Sequence, residues 1–237
     1  MGSLRLNLVF HEINRFPHEN ESRFAVTEDF GLGLIKELLV FLESKGHIFL
    51  SIWLDDGFES QRSFAELAAK EFGVPISLAI STGLVGLPGY LSWNDLVELG
   101  KLTGISVCSH GVSHSALGAY QQGTVMPIQR GGVYQNVPKR SNALLSEEEI
   151  RYQLVESGNT LLRYGLTTSS FVYPHGIYNN QIVELIRESS LYSKAYTCDP
   201  GFETDKTCPF LIPRTVAYGN IAMVRLRAEL ETWLRFN

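Results

Sequence analysis

An apolar run, residues 48–54, stops abruptly at Asp55 and Asp56, and Gly57 follows at once. Two neighbouring carboxylates repel each other, and their juxtaposition becomes favourable when a cation sits between or beside them. A second apolar run, 105–109, ends in His110, with His114 four residues on. That spacing brings two imidazoles to one side if residues 110–114 form a helical turn. A carboxylate from the first run and two imidazoles from the second make a two-histidine, one-carboxylate metal site with positions left open for water. A third run closes with Tyr173-Pro174-His175-Gly176. His11 ends the first apolar run of the chain, and Arg214 follows the short run 210–213.

Each motif also has an ordinary use. Asp and Gly cap helices and shape solvated turns, Pro and Gly punctuate turns, and paired histidines decorate surfaces or sit satisfied in polar cores. Their shared position favours chemistry: all of them fall where a strand-like run ends.

For such residues to meet, the runs must be parallel strands that finish on one side of the molecule. Residues 6–10, 47–54, 74–81, 105–109, 169–174 and 193–197 read as strands. Residues 29–45, 60–72, 92–103, 146–164, 178–190 and about 220–235 read as helices. Gly46, Gly73 and Gly104 stop three of the helices, and Ser146 followed by three glutamates opens a fourth. Strict alternation argues for parallel strands joined by right-handed crossovers, apolar on both faces. In 237 residues this α/β pattern fits a single-domain (β/α) barrel, whose sites lie in the loops after the strands. An open doubly wound sheet is the competitor, and no glycine-rich phosphate loop follows any strand. Residues 118–145 form a long, polar, glycine-rich connection, which reads either as a substrate-facing lid or as a surface insertion.

Composition narrows the partners. The net charge is −5 with no Lys/Arg run, so nothing advertises nucleic acid or an anionic membrane. No stretch approaches the roughly 18 apolar residues of a membrane span. The start of the chain fits a strand better than a signal peptide. The three cysteines, Cys108, Cys198 and Cys208, make no disulfide framework and read as reduced thiols. A cytoplasmic location is therefore expected, which favours a nucleotide- or lipid-linked sugar over a mature wall polymer. Trp53, Trp93, Tyr90 and Tyr173 could stack on sugar faces, with Trp53 better placed in the core.

In its motifs the chain resembles the polysaccharide deacetylases, the NodB-homology fold of carbohydrate esterase family four. The likeness runs from about residue 6 to about 215. Leu54-Asp55-Asp56-Gly57 matches the T-F-D-D-G box, with Trp53 and Leu54 in place of its Thr and Phe. His110 to His114 match the H-[ST]-x-x-H box in spacing, with Gly111 where Ser or Thr is usual. Residues 171–176 resemble the third box, but Val172 stands where that box has an arginine.

The resemblance implies a distorted (β/α)7 barrel that removes an N-acyl group, most often acetyl, from an amino sugar. It implies a divalent metal, zinc as the family commonly uses, held by Asp56, His110 and His114, and Asp55 as general base. It also implies that Arg214 orients Asp55, and that the backbone N–H of Tyr173, beside Pro174, helps hold the oxyanion. The family's late Leu-x-Ile-x-His motif is not recognisable. Val9-Phe10-His11-Glu12 looks like the first-strand box from which some subgroups take the general acid. That makes His11 the first choice for the acid and His175 the second. A cationic His11 near carboxylates is expected to keep a raised pKa. A sugar deformylase, a small amide or ureide hydrolase, or a glycan-binding barrel without turnover would fit the same site. A non-haem iron oxygenase would also use two histidines and a carboxylate, but from an antiparallel β fold rather than this alternation.

Overall fold

The computed structural model describes residues 4–14, 24–46, 48–117, 128–130, 133–135, 145–217 and 223–236. Six parallel strands run side by side in one curled sheet: β1 (Leu4–Phe10), β2 (Ile48–Asp56), β3 (Ile76–Ile80), β4 (Ile105–Ser109), β5 (Ser170–Val172) and β6 (Lys194–Tyr196). A seventh, β7 (Thr215–Val216), pairs parallel with β1 through Leu8 and Val9. Just before it, Ile212 bridges to Tyr196 of β6. The segment 212–216 therefore touches both ends of the sheet and closes it into a distorted (β/α)7 barrel. A short antiparallel strand, Phe202–Glu203, lies against the start of β1.

Alternation along the strands sorts their side chains. One set points outward: Leu6, Leu8 and Phe10 of β1, Leu50, Ile52 and Leu54 of β2, and Ile76, Leu78 and Ile80 of β3 are all buried under the helices. The helices over this face are α1 (Glu28–Lys45), α2 (Gln61–Phe72), α3 (Trp93–Leu99) and α6 (Met223–Phe236). On the other flank, α4 (Glu147–Arg163) and α5 (Asn180–Ser189) share a second core with Phe171 and Tyr173. The other set points into the barrel, where Val9, Trp53, Ala79, Cys108, Val172, Tyr196 and Ile212 pack together. The rings of Trp53 and Tyr196 lie 4.1 Å apart there. Trp53 is thus barrel filling rather than a sugar platform.

Local chemistry fixes the helix ends. Ser146 caps α4 reciprocally with Glu149, and Ser92 caps α3 with Asp95. Helix α2 ends at Gly73 in the left-handed conformation. Helix α3 ends at Leu99, short of the expected 103, because the chain turns at Gly100. A Cβ there would stand 3.0 Å from Leu166 Cδ2. In the long connection 118–145, most positions lie outside the described residues. What is described is an antiparallel pair, Ile128–Arg130 with Val133–Gln135, whose first strand runs close to the turn Pro174–Gly176. Positions 220–222 of the expected last helix also lie outside the described residues, as does position 47 of the second strand.

Candidate active site and metal centre

The strand ends named above converge at one mouth of the barrel. On a regular strand Asp55 and Asp56 would point to opposite faces. Asp55 keeps the inward direction. Asp56 leaves strand geometry with φ +78°, and its carboxylate lies over the mouth. The adjacent charges are thereby given different partners.

Asp56 faces the two histidines. Its Oδ1 is 3.0 Å from His114 Nε2 and 3.5 Å from His110 Nε2. The three ligand atoms all lie within 4.8 Å of one another. His110 is buried, and its Nδ1–H donates to the Val172 carbonyl at 2.9 Å. A carbonyl only accepts, so Nδ1 carries a hydrogen and Nε2 is the atom that faces Asp56. Burial and the neighbouring His110 push His114 down to about 3, so it stays neutral. Asp56 Oδ1 is buried and has no hydrogen-bond partner. One carboxylate oxygen and two imidazole nitrogens thus converge on one point. A divalent cation satisfies that arrangement, and the mixed N/O donor set suits zinc.

The turn that carries His114 is held in an uncommon shape. His114 itself has φ +56°, and Gly111, which replaces the usual Ser or Thr, has φ +78°. Such non-glycine strain persists only where the surroundings enforce it.

Asp55 faces Arg214. The guanidinium donates to both carboxylate oxygens, Nη1 to Oδ1 at 2.7 Å and Nη2 to Oδ2 at 2.9 Å. It also donates through Nε to the Thr197 carbonyl, and its Nη2 lies 3.5 Å from Cys198 Sγ. Arg214 is wholly buried, and its charge stands over the Trp53 ring at 5.2 Å. Burial alone would raise the Asp55 carboxyl, but Arg214, with His110 adding to it, holds it below the usual range. The arginine that the third box lacks at Val172 is supplied from the closing segment of the barrel.

His11 lies at the same mouth, its ring packed on Phe24 at 5.0 Å and its Nδ1 buried with no hydrogen-bond partner among the described residues. The expected raised pKa is not found: burial lowers it, and the charges of Asp55 and Asp56 do not make up the difference. His175 lies on the other side of the ligand pair, exposed, with its ring 4.2 Å from that of His114 and its Nε2 at 3.0 Å from the His114 carbonyl. Tyr173 departs from expectation as well. Its backbone N–H donates to the Tyr196 carbonyl at 3.1 Å and is spent in the sheet, so it is no oxyanion donor here. Its hydroxyl donates to the Phe210 carbonyl, which removes it as a sugar platform. Pro174 is buried at the start of the tight turn Pro174–Gly176. Trp93, the first residue of α3, stacks on Tyr164 at the end of α4, and Tyr90 stacks on Phe58 beside the Asp-Asp-Gly turn.

Two buried glutamines were not visible in the sequence. Gln61, first residue of α2, donates from one Nε2 to the His11 carbonyl at 2.6 Å and the Asp55 carbonyl at 2.5 Å. It ties together the ends of β1 and β2. Gln153 of α4 accepts from the backbone between His110 and His114. Neither stands in a motif, and a glutamine on a helix reads as a solvent residue until the fold is known.

The sequence matches no family model and no curated protein. Solved structures, by contrast, match over nearly the whole chain. BC0361, a polysaccharide deacetylase from Bacillus cereus, is similar with a TM-score of 0.72 at 17% identity, over 97% of this chain and 69% of that one. The Streptococcus pyogenes deacetylase PplD, solved in complex with acetate, gives 0.71 at 17% identity, over 98% and 99%. A de-N-acetylase from Aggregatibacter actinomycetemcomitans gives 0.71 at 12% identity, over 95% and 99%. The protein therefore has the fold of the polysaccharide deacetylases.

Proposed function

We propose that this protein is a metal-dependent hydrolase that removes an N-acyl group, in the first place acetyl, from an amino sugar of a glycan or glycan precursor. The observation that carries the reading is one cluster at the barrel mouth. Asp56, His110 and His114 converge on a single point, with the Arg214-clamped Asp55 beside them. That the fold is shared with deacetylases acting on polysaccharides supports the same reading.

A divalent ion bound by Asp56, His110 and His114 would supply Lewis acidity to an amide carbonyl and lower the pKa of water towards neutrality. The chain's own residues move the proton. Hydrolysis transfers one proton from water to the sugar nitrogen. Asp55 accepts it: the carboxylate is ionised at neutral pH, and Arg214 fixes its two oxygens in one orientation. His11 delivers it to the leaving amine, since an amine anion is too poor a leaving group. Held neutral by burial, His11 must first take up a proton, and the one gathered by Asp55 is suitable. His175 is the other candidate donor. A cleft of about 780 Å³ runs from Glu12, next to His11, past Phe58 and Glu59 to Tyr90. It is lined by neither Asp55 nor the residues of the cation cluster, and gives further sugar units room along the flank next to Glu12.

The test is acetate release from N-acetylglucosamine oligomers and from nucleotide- and lipid-linked N-acetyl sugars, with protein stripped by chelator and reloaded with Zn²⁺ or Co²⁺. Expected is release only in loaded protein, lost in Asp55→Asn. Formate or ammonia release instead would move the activity to a deformylase or a ureide hydrolase. Bound metal with no product from any N-acyl sugar would leave a binding barrel.

A further inference from the structure

Between the two histidine ligands lies Gly111-Val112-Ser113, and its backbone is gripped from two sides. The carbonyls of Gly111 and Val112 accept from the N–H groups of Thr82 and Gly83, at 3.0 and 2.8 Å, in the connection after β3. The N–H groups of Val112 and Ser113 both donate to one atom, Gln153 Oε1, at 2.8 and 3.0 Å. Gln153 is buried, 7% exposed, on the face of α4 that packs against the barrel. The turn has no other described acceptor for those two N–H groups. Gly111 is matched to this arrangement. Its φ is +78°, and a Cβ added there would stand 3.3 Å from Gln153 Oε1, tighter than ordinary contact. A residue larger than glycine would crowd the very oxygen that holds the turn.

We infer that Gln153 is a positioning residue for the cation site: its carboxamide oxygen sets the His110–His114 turn and so the affinity of the metal centre. The inference rests on the function proposed above. Its physical content is local. His114 reaches Asp56 only from a left-handed backbone, φ +56°, which the turn must be forced to keep. Two N–H bonds to one fixed oxygen provide that force from outside the turn. Without the acceptor these two N–H groups lose the bonds that tie them to α4, the turn relaxes, and the His114 nitrogen moves away from the Asp56 and His110 ligand atoms. The pairing of Gly111 with Gln153 also accounts for the missing Ser or Thr in the second box.

The test is Co²⁺ titration of chelator-stripped protein, followed by the visible absorption of the bound ion, alongside thermal unfolding. Gln153→Met keeps the shape and removes the acceptor. Cation affinity should fall by roughly tenfold to a hundredfold, the usual loss when a partner of a ligand is removed, and the absorption spectrum should change. Gln153→Glu keeps an acceptor that serves both N–H groups and should restore affinity to within a few-fold. If the Met variant fails to fold, Gln153→Asn, which withdraws the carboxamide by one bond, should show the same loss. Unchanged affinity and spectrum in a folded Met or Asn variant would overturn the inference and leave the proposed function standing. No cation binding by the unsubstituted protein would overturn both.

Discussion

Asp55 and Asp56 are chemically identical neighbours whose surroundings assign them different work. Asp56 loses strand geometry and meets two imidazoles, while Asp55 stays inside and meets a guanidinium. Substitution should therefore separate them. Asp55→Asn should lose roughly two to four orders of magnitude in kcat and keep its metal. His114→Ala should lose the metal itself, which elemental analysis of the purified variants will show. Near-normal turnover by Asp55→Asn would remove Asp55 as base. The two candidate acids are separated in the same way. His11→Ala should cost two to four orders of magnitude in rate, with His175→Ala milder, and the reverse ranking would exchange their roles.

Arg214 invites a prediction about pH. Its bond to Asp55 holds that carboxyl below the usual range. The pair therefore adds stability above roughly pH 4, the ordinary Asp region, and this contribution is lost as the pH falls further. In Arg214→Met the guanidinium is gone and only the weaker pull of His110 and His11 still opposes burial, so the Asp55 pKa rises. The acid limb of the kcat/KM profile should move to higher pH. Stability at neutral pH should drop by about 3–5 kcal/mol, because a buried carboxylate is left without its partner. An acid limb that stays in place would show that it does not belong to Asp55.

At the scale of the elements, the site depends on strand ends being held in mutual register. Gln61 is the tie between β1 and β2, with one amide nitrogen on the carbonyls behind His11 and Asp55. Gln61→Leu leaves two buried carbonyls unpaired, each worth about 1–3 kcal/mol. The expected result is a lower kcat with metal largely retained, since His110 and His114 stand on another strand end and only Asp56, whose peptide bond carries the Asp55 carbonyl, adjoins Gln61. Loss of metal from that variant would mean the two halves of the mouth are not independent.

The sequence reveals some of these elements and hides others, for physical reasons. Long helices show because burial of one face imposes a period, as in α1, and long strands show as continuous apolar runs because both faces are covered, as in β2. Ser146 announces α4 because a cap needs a particular side chain at a particular place. The closing strand β7 hides, since two paired residues, Thr215 and Val216, leave no period to read. The candidate ligands Asp56, His110 and His114 are legible because they follow strands in short motifs. Gln61 and Gln153 are not, because their partners are backbone groups distant in sequence, and any residue type supplies those. The Tyr173 expectation fails for a related reason: whether an N–H is spent depends on the neighbouring strand, here Tyr196.

For the whole molecule, the barrel is closed by the segment that also carries Arg214. Closure and the charge on Asp55 are thus set by the same residues, 212–216. The cation centre spans β2 and the turn after β4, so binding there should stabilise the fold as a unit. At a free ion concentration a hundredfold above the dissociation constant the gain is about 2.7 kcal/mol. For a chain of this size that corresponds to a rise in Tm of roughly 5–10 °C. Calorimetry of stripped and reloaded protein checks this, and an unchanged Tm would mean that no such site forms.

One measurement reaches the centre of these claims: anomalous diffraction at the zinc edge from crystals of zinc-loaded protein. Expected is a single strong peak bounded by Nε2 of His110, Nε2 of His114 and a carboxylate oxygen of Asp56, with Asp55 and Arg214 still paired beside it. Zinc bound elsewhere, or no peak among those three side chains, would contradict it.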